Sequence, residues 1–521
     1  MATTSNDVLA EMQELGAKTT YDRLVNERND YTQRAEKCAT YTIPKAFPKE
    51  ADISSTTYDT PYNSVGARGV NNLASKLLLS LLPPSQPFFR LGLDGESQQQ
   101  LDTMDADTKE QVEYGLSMME QAMTRYIESI SFRPTLFDAL KQLIIAGNAL
   151  LFLPPKEGGV KCYHLRDYVV ERDGIGNVLQ IVTKDTTSKG ALPENLYEYL
   201  ENAEQADINE KVEIYTHIFR VPQGDSYQWQ SYQEINGQVV EGTEQTFPKG
   251  KLPWIPVRFF KRDGESYGRS FIDDYLGDLI SLENLSKAIV DISMLSAKVI
   301  FLVNPSCQTN IRELAKCDNG AFVKGRPEDI MPVQIQKTAD LQVCQATAQS
   351  IESRLSFCFL LNSSVQRTQD RVTAEEIRYV AGELEDTLGG VYSLLSQELQ
   401  LPLVSCIYNQ MQSLGSLPQD ANIGENIEPS IITGLDALGR GADLQKLIEV
   451  TQLITQFPEG QQVLNYSGLF TRIFASAGVD AQGIIKSPEE AQADINQAQA
   501  DQQAIEGARD VAVSQAEQQQ G

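Results

Sequence analysis

The stretch YGRSFIDDYLGDLISLENLSKAIVDISMLSAKVI, residues 267–300, decides the architecture. Its apolar residues Ile272, Leu276, Leu279, Leu282, Leu285, Ile289, Ile292, Leu295 and Val299 return every three or four positions, the spacing of a helix that buries one face. The opposite stripe, Asp274, Asp278, Ser281, Asn284, Lys287 and Asp291, is polar and mostly acidic. A second run keeps the same spacing through Leu341, Cys344, Ala348, Ile351, Leu355 and Cys358, with Gln342, Gln345, Gln349 and Glu352 on its other side. Thr338 or Asp340 is available to cap its start. Between the two runs, Asn304-Pro305, Asn319-Gly320 and Gly325-Arg326-Pro327 punctuate turns, and Ala321–Val323 and Met331–Ile335 read as short strands. The pattern is a helix, a compact knob and a returning helix.

A third and longer helix follows. Thr373 and Glu376 form a capping box, an arrangement that contributes about 1 kcal/mol. The apolar face is Ile377, Val380, Leu384, Leu388, Val391, Leu395, Leu399 and Leu403, and Gly389-Gly390 and Pro402 predict a bend or a weak point in it. The loop before this helix, Asn362-Ser363-Ser364-Val365-Gln366-Arg367-Thr368-Gln369-Asp370-Arg371, has almost no apolar side chain to tuck away. Such a loop belongs in water or against a polar partner.

The run Asn362 to Thr368 with Arg371-Val372-Thr373-Ala374-Glu375-Glu376-Ile377-Arg378-Tyr379-Val380 closely resembles the matching segment of the portal, or head-to-tail connector, proteins of autographivirus-type short-tailed phages. So do Gly264-Glu265-Ser266-Tyr267-Gly268-Arg269-Ser270, Leu384-Glu385-Asp386-Thr387-Leu388-Gly389-Gly390-Val391-Tyr392, and Ser64 to Leu77. The resemblance runs from about Tyr21 to about Gly441. It implies an α+β viral portal fold that assembles into a ring, usually a dodecamer, at the unique capsid vertex. Carried onto this chain, it makes residues 1–268 the N-terminal α+β part of a wing, 269–300 and 338–362 the stem helices, and 301–337 the clip. Residues 363–373 become a tunnel loop, 374–416 the long wing helix, 417–486 the crown, and 487–521 an Ala/Gln-rich tail.

The same resemblance implies the partners. They are double-stranded DNA in the channel, contacted without regard to sequence; terminase and then a tail adaptor at the clip; scaffolding protein and major capsid protein during assembly; and an internal core protein at the crown. The tunnel-loop residues facing DNA would be Asn362, Gln366, Arg367, Thr368 and Arg371. Asp274, Asp278 and Asp291 would face the channel from the stem, and Arg312, Asn319, Lys324 and Arg326 would meet the adaptor. For Arg367 and Arg371 two readings stay open: exposed side chains paired with Asp370 or water, or cations that touch phosphates and are multiplied around a ring. A tail-tube or adaptor subunit is the alternative structural identity, although such chains are normally much shorter. An unrelated multidomain enzyme is the alternative of a different class.

Composition fits a conduit better than a tight nucleic-acid binder. Lys+Arg total 44 against 71 Asp+Glu, a formal net charge of -27. Nucleic-acid affinity comes largely from cations that neutralise phosphates, whereas an acidic wall lets a duplex slide. Surface solubility is the bland account of many of these carboxylates. The 521 residues suggest three or four domain-sized units, and 41% hydrophobic residues suffice for substantial cores. Cys38, Cys162, Cys307, Cys317, Cys344, Cys358 and Cys406 show no CxxC spacing and read as reduced, buried small hydrophobes. The polar N-terminus predicts no signal peptide, and the best apolar run, Leu143 to Leu153, is short of the roughly 18 residues that span a membrane.

Along the chain, residues 1 to about 20 read as a leader and Thr20 to Tyr41 as a charged helix. Ser64 to Leu77 leads into an apolar helix that stops at Pro83-Pro84. Thr108 to Ile130 is amphipathic, and an apolar helix follows Arg133-Pro134 and ends near Gly147. From Ala149 to Phe260 the pattern turns to short alternating runs, with Leu150–Leu153, Tyr168–Glu171, Val178–Thr183, Val212–Phe219 and Trp254–Phe260 as strands. Asp173-Gly174 and Asn236-Gly237 mark hairpins. Gly415 to Pro429 reads as a linker, Ala442–Gln456 and Gln461–Ala477 as helices, and the chain after Ser487 as too poor in large apolar residues to bury a core of its own.

No catalytic constellation stands out. Gly174-x-Gly176 lacks a third glycine and a strand-to-helix setting, so it reads as a hairpin turn. His164 and His217 lie in strand-like runs without a nucleophile elbow and read as structural, and two histidines make a zinc site improbable. Asp273-Asp274 and Glu375-Glu376 are sequence neighbours, which diverge by about 100° on a helix and make no acid/base pair. With no GxxxxGK[ST] run, ATP hydrolysis would come from a partner. No cofactor is implied.

Overall fold

The fold was analysed in a computed structural model of the chain. The structure describes residues 14–49, 56–83, 88–93, 106–154, 159–200, 207, 209–224, 226–297, 300–307, 309–318, 320–333, 338–361, 382, 384, 388, 390–417 and 427–431. In chain order the elements are α1 (Ala17–Thr40), α2 (Val65–Leu81), β1 (Phe89–Leu93), α3 (Ala106–Ser129) and α4 (Phe132–Ala146). Strands β2 (Asn148–Phe152), β3 (Lys161–Tyr163), β4 (Tyr168–Arg172), β5 (Val178–Ser188), β6 (Lys211–Gln223) and β7 (Ser226–Ile235) follow. Then come β8 (Gln238–Val239), β9 (Gln245–Pro248), β10 (Trp254–Arg258), α5 (Phe271–Ala297), β11 (Ile300–Val303), the short α6 (Ile311–Leu314) and β12 (Ile330–Val333). The described chain continues with α7 (Thr338–Cys358), α8 (Gly390–Leu395), a π-helical turn at Ser396–Gln400, α9 (Leu401–Ser413) and β13 (Ile427–Ile431).

The chain divides into two compact units. One is Met1–Gln86, Met123–Arg371 and Glu383–Ser416; the other gathers Pro87–Ala122, Val372–Gly382 and Leu417–Gly521. In the second, β1 pairs antiparallel with β13, Phe89 opposite Ile431, and Glu120 accepts from the Leu91 N–H at 2.9 Å. The linker expected at Gly415 to Pro429 therefore ends in a strand. Its alternation of Ile427, Pro429 and Ile431 is too short to outweigh the flanking Gly, Asn and Pro signals in the sequence.

Besides the β11–β12 pair, the described residues of the first unit form two larger antiparallel sheets. One has the order β4-β5-β6-β7-β8 with β9 also on β7, and the other is β10-β2-β3. The Asn236-Gly237 turn between β7 and β8 has φ 49 and 78, the pair of positive values that a two-residue hairpin needs. Asp173 closes the β4–β5 turn by accepting the N–H groups of Ile175, Gly176 and Asn177 at 3.0, 2.8 and 2.8 Å, which settles Gly174-x-Gly176 as a turn. Helix α1 lies on the larger sheet through Ala17, Tyr21 and Leu24 against Val169, Val182, Tyr215 and Tyr232. It has no side-chain cap of its own. The Glu234 carboxylate on β7 closes its start instead, taking the Ala17 N–H at 2.5 Å and the Lys18 N–H at 3.2 Å.

Helix α4 ends at Gly147, a left-handed residue with φ 75 whose N–H reaches Leu143 O at 2.8 Å. Asn148 then joins this corner to the segment before α5, donating to Gly268 O at 2.8 Å and accepting from Gly268 N–H at 2.7 Å. Tyr267 is buried and its hydroxyl accepts the Val170 N–H at 3.1 Å. The block Gly264 to Ser270 is thus a structural corner.

Two expectations need correction. Ala321–Val323 forms no strand; the hairpin at the knob is β11 with β12, Ile300 opposite Val333, and β11 is hidden in the sequence because its apolar run continues the helical stripe of α5. The cysteines are all free, yet only Cys38 and Cys406 are buried; Cys162, Cys307, Cys344 and Cys358 are half-buried and Cys317 is exposed. Cys317 sits on the knob, where every described residue from Asn310 to Asp318 is exposed.

Candidate functional site

Helices α5 and α7 pack along each other. Near their joined base the contact is dry: Phe271, Ile272, Leu279 and Leu282 of α5 and Ile351 and Leu355 of α7 are buried. Toward the knob the burial fades, with Leu285, Ile289 and Ile292 half-buried and Met294 and Leu295 exposed. On α7, Val343 is 67% and Phe357 73% exposed. The expected inward face of α7, Leu341, Cys344, Ala348, Ile351, Leu355 and Cys358, is the less exposed one along its whole length. Full burial of a side chain of this size stabilises by about 1.5–3 kcal/mol. The outward residues therefore represent contact that one chain alone does not make.

Of the acidic stripe, Asp274 and Asp291 are exposed, while Asp278 pairs with Arg354 of α7 at 3.0 Å across the two helices. Glu283 accepts from the Tyr62 N–H and the Asn63 side chain, both at 2.9 Å.

The knob is held at one point. Asp329 is buried, accepts the Thr309 hydroxyl at 2.6 Å and the Thr309 N–H at 3.2 Å, and its carbonyl takes the Asn304 N–H at 2.9 Å. The Arg326 N–H in turn donates to Thr309 Oγ1 at 3.1 Å. Arg312 on α6 and Lys324 and Arg326 on the loop before β12 are exposed, and Phe322 stands fully in solvent. Asn319 lies outside the described residues. So do Asn362, Gln366, Arg367, Thr368 and Arg371, the Thr373–Glu376 capping box, Ile377 and Val380 of the long helix, and both helices expected after Ala442.

In the described part of the long helix, Leu384, Leu388, Val391, Leu395, Leu399 and Leu403 are buried, as the sequence predicts. The weak point near Pro402 takes the form of the π turn. That turn aims Glu398 at Arg258, which donates to it from the backbone N–H at 3.1 Å, from Nε at 3.1 Å and from Nη2 at 2.5 Å. Arg172 stands 4.0 Å from the same carboxylate, and burial, followed by the Arg258 charge, draws its guanidinium down to about 10.

Of the two histidines, His217 is a core residue and His164 is half-buried. His217 is bracketed by Tyr232 Oη at 3.1 Å and Gln180 Oε1 at 2.8 Å, and burial lowers it to about 3. His164 packs on the Phe47 ring, and burial with the Arg166 charge lowers it to about 4. Both folded values lie below the ordinary histidine range, so the unfolded chain binds these protons first. The stability they confer is complete above about pH 6.5 and is lost as pH falls toward the folded values. Denaturant titrations of wild type and His217→Gln between pH 7 and 4 are expected to differ in slope by close to one proton.

Among the described residues no group of His, Cys, Asp and Glu could hold a metal ion, and no helix is long and apolar enough to cross a membrane. Sequence reading missed Arg258, Arg172 and Glu398, and it missed Gly69, Asn72 and Lys76 of α2, which grip the end of α7. The only signal for the latter was that Ser64 to Leu77 belongs to a family-like block.

Comparison with known proteins is consistent over nearly the whole chain. The family described as bacteriophage head to tail connecting protein matches residues 15–485. The portal protein of Escherichia phage T7 is 50% identical over 488 residues, which is 92% of this chain and 90% of that protein. That of Enterobacteria phage T3 is 51% identical over 484 residues, 92% and 89% of the two chains. The portal protein of Pseudomonas phage phiKMV is 32% identical over 495 residues, 92% and 95% of the two. Among solved structures, a chain from the neck of a native gene transfer agent particle aligns over 80% of this chain and 90% of its own, at 14% identity and a TM-score of 0.33.

Proposed function

The chain belongs to the bacteriophage head-to-tail connecting, or portal, proteins, and from that premise we propose that it works as a dodecameric ring at the unique capsid vertex. Double-stranded DNA passes through this ring during packaging and ejection. The observation that carries the proposal is the outward apolar surface of α5 and α7: Met294, Leu295 and Val343 toward the knob and Phe357 at the opposite end are all more than half exposed. Such a surface fits side-by-side copies, each covering its neighbour, better than a lone subunit in water.

In this arrangement α5 and α7 are the stem, the β11–β12 hairpin with its knob is the clip, and the remaining first-unit elements form the wing. Residues 417–486 are the crown and 487–521 the tail. Asp274 and Asp291, with Asp278 partly neutralised by Arg354, give the channel an acidic wall that a duplex slides past. Arg312, Asn319, Lys324 and Arg326, with the solvent-exposed Phe322 among them, suit a surface that meets terminase first and the tail adaptor later. Scaffolding and major capsid proteins engage the ring as the procapsid nucleates, an internal core protein meets the crown, and assembly takes place in the host cytoplasm. The role is structural throughout.

The tunnel loop supplies the valve. Arg367 and Arg371, with Asn362, Gln366 and Thr368, contact phosphates without reading sequence, and the ring multiplies each cation. Virions carrying Arg367→Ala with Arg371→Ala are expected to assemble and fill but to lose their genomes on storage or mild heating, measured as the ratio of filled to empty heads. Wild-type retention in that double variant would remove the loop from the mechanism.

A further inference from the structure

At the end of α7 the backbone makes a turn that ordinarily belongs to glycine. Leu361 N–H donates to Ser356 O at 2.8 Å and Leu360 N–H to Phe357 O at 3.0 Å, the hydrogen-bond pair of a Schellman closure. The left-handed residue in it is Leu360, with φ 54, and its side chain is buried. A leucine holds that conformation only where its surroundings fix it.

Helix α2, 287 residues earlier in the chain, does the fixing. Asn72 Nδ2 donates to the carbonyls of both Phe359 and Leu360 at 3.0 Å, one on each side of the left-handed residue. Lys76 Nζ donates to Leu360 O at 3.2 Å. This places a buried ammonium at a helix C-terminus, where free carbonyls favour a cation. One turn before Asn72, Gly69 leaves a hollow that the Phe359 ring fills; a Cβ there would lie 2.6 and 2.7 Å from the two Cδ atoms. On its other side the same ring meets Phe271 and Tyr275 of α5, with centroids 5.7 and 6.4 Å away.

We propose that Gly69, Asn72 and Lys76 are positioning residues: they form a socket that sets the point and direction in which the chain leaves the stem after Leu361. Because the turn is imposed from α2 and not by its own residue type, the wing dictates that exit in every copy of the ring. The consequence for DNA rests on the reading of Arg367 and Arg371 given above. The socket itself does not.

Two measurements on the full-length protein separate the two ideas. In Asn72→Ala, which removes two half-buried hydrogen bonds, and Lys76→Met, which removes one buried one, amide exchange at Phe359, Leu360 and Leu361 is expected to rise at least about tenfold, with α4 amides and ring mass unchanged. Gly69→Ala is expected to do the same by expelling the ring, and Gly69→Ala with Phe359→Leu to restore slow exchange. Unchanged exchange in Asn72→Ala and Lys76→Met, acceleration spread evenly over the protein, or no rescue in the paired variant would each overturn the socket. Particles made with Asn72→Ala are expected to retain less DNA. If Arg367→Ala with Arg371→Ala retains DNA while the local exchange behaves as stated, the loop's role fails and the socket stands.

Discussion

Replacing Glu398 by alanine is expected to cost about 3–5 kcal/mol, the usual consequence of leaving a buried charge without its partner. Glu398 is the shared counter-charge of two guanidiniums, Arg258 and Arg172, whose side chains are only 2% and 5% exposed. Arg258 spends its backbone N–H, Nε and Nη2 on this carboxylate. Arg172 is otherwise tied to the Gly176 and Pro256 carbonyls at 3.0 Å, so it cannot turn to water when the carboxylate goes. Chemical denaturation of the variant checks the loss, and a cycle with Arg258→Met assigns it. Since the two residues form one network, the double variant is expected to lose clearly less than the sum of the single losses.

The second large effect is expected at Gly147. Its φ of 75 is strained for any side chain, and a Cβ would meet backbone on the facing segment, 2.7 Å from both Arg269 O and Ser270 N. Neither atom belongs to a side chain that can swing away. The strain of a left-handed alanine, about 1–3 kcal/mol, and overpacking, typically about 1–3 kcal/mol, then add to a loss of at least about 3 kcal/mol in Gly147→Ala. Gly390 is the matched control. It lies in α8 with nothing within 4 Å of the added atom, so Gly390→Ala is expected to stabilise by about 0.4–1 kcal/mol. Thermal denaturation of the two variants side by side tests the contrast.

These positions mark the division between what the sequence discloses and what it does not. The ends of α4 are legible because Arg133-Pro134 suits a first turn and Gly147 a left-handed stop, both local chemical facts. The β7–β8 hairpin is legible for the same reason. The inward faces of α5 and α7 follow from spacing alone, since one stripe on each is apolar. The π turn was not read, yet its sign is present. Val391, Leu395, Leu399, Leu403, Ile407 and Met411 are spaced by fours without a three, and all are buried. In an ideal helix each such step overshoots a turn by about 40°, so five steps would carry the stripe about 200° around the axis. Local underwinding at Ser396–Gln400 takes back part of that drift.

The socket and the Arg258–Glu398 contact are not legible at all. They join residues 287 and 140 positions apart, and nothing in Gly69 or Glu398 names its partner. The knob misled for a different reason. Phe322 and Val323 have strand propensity, but among the described residues no strand pairs with them, so propensity has nothing to act on.

The closure of α1 by Glu234 carries a consequence for synthesis. The helix is made well before its closure can form, because the carboxylate that satisfies its first amides is encoded 217 residues later. Until β7 has emerged, the beginning of α1 is an open end with nothing to settle it. This helix, although made well before β7, is therefore among the last elements to come to rest.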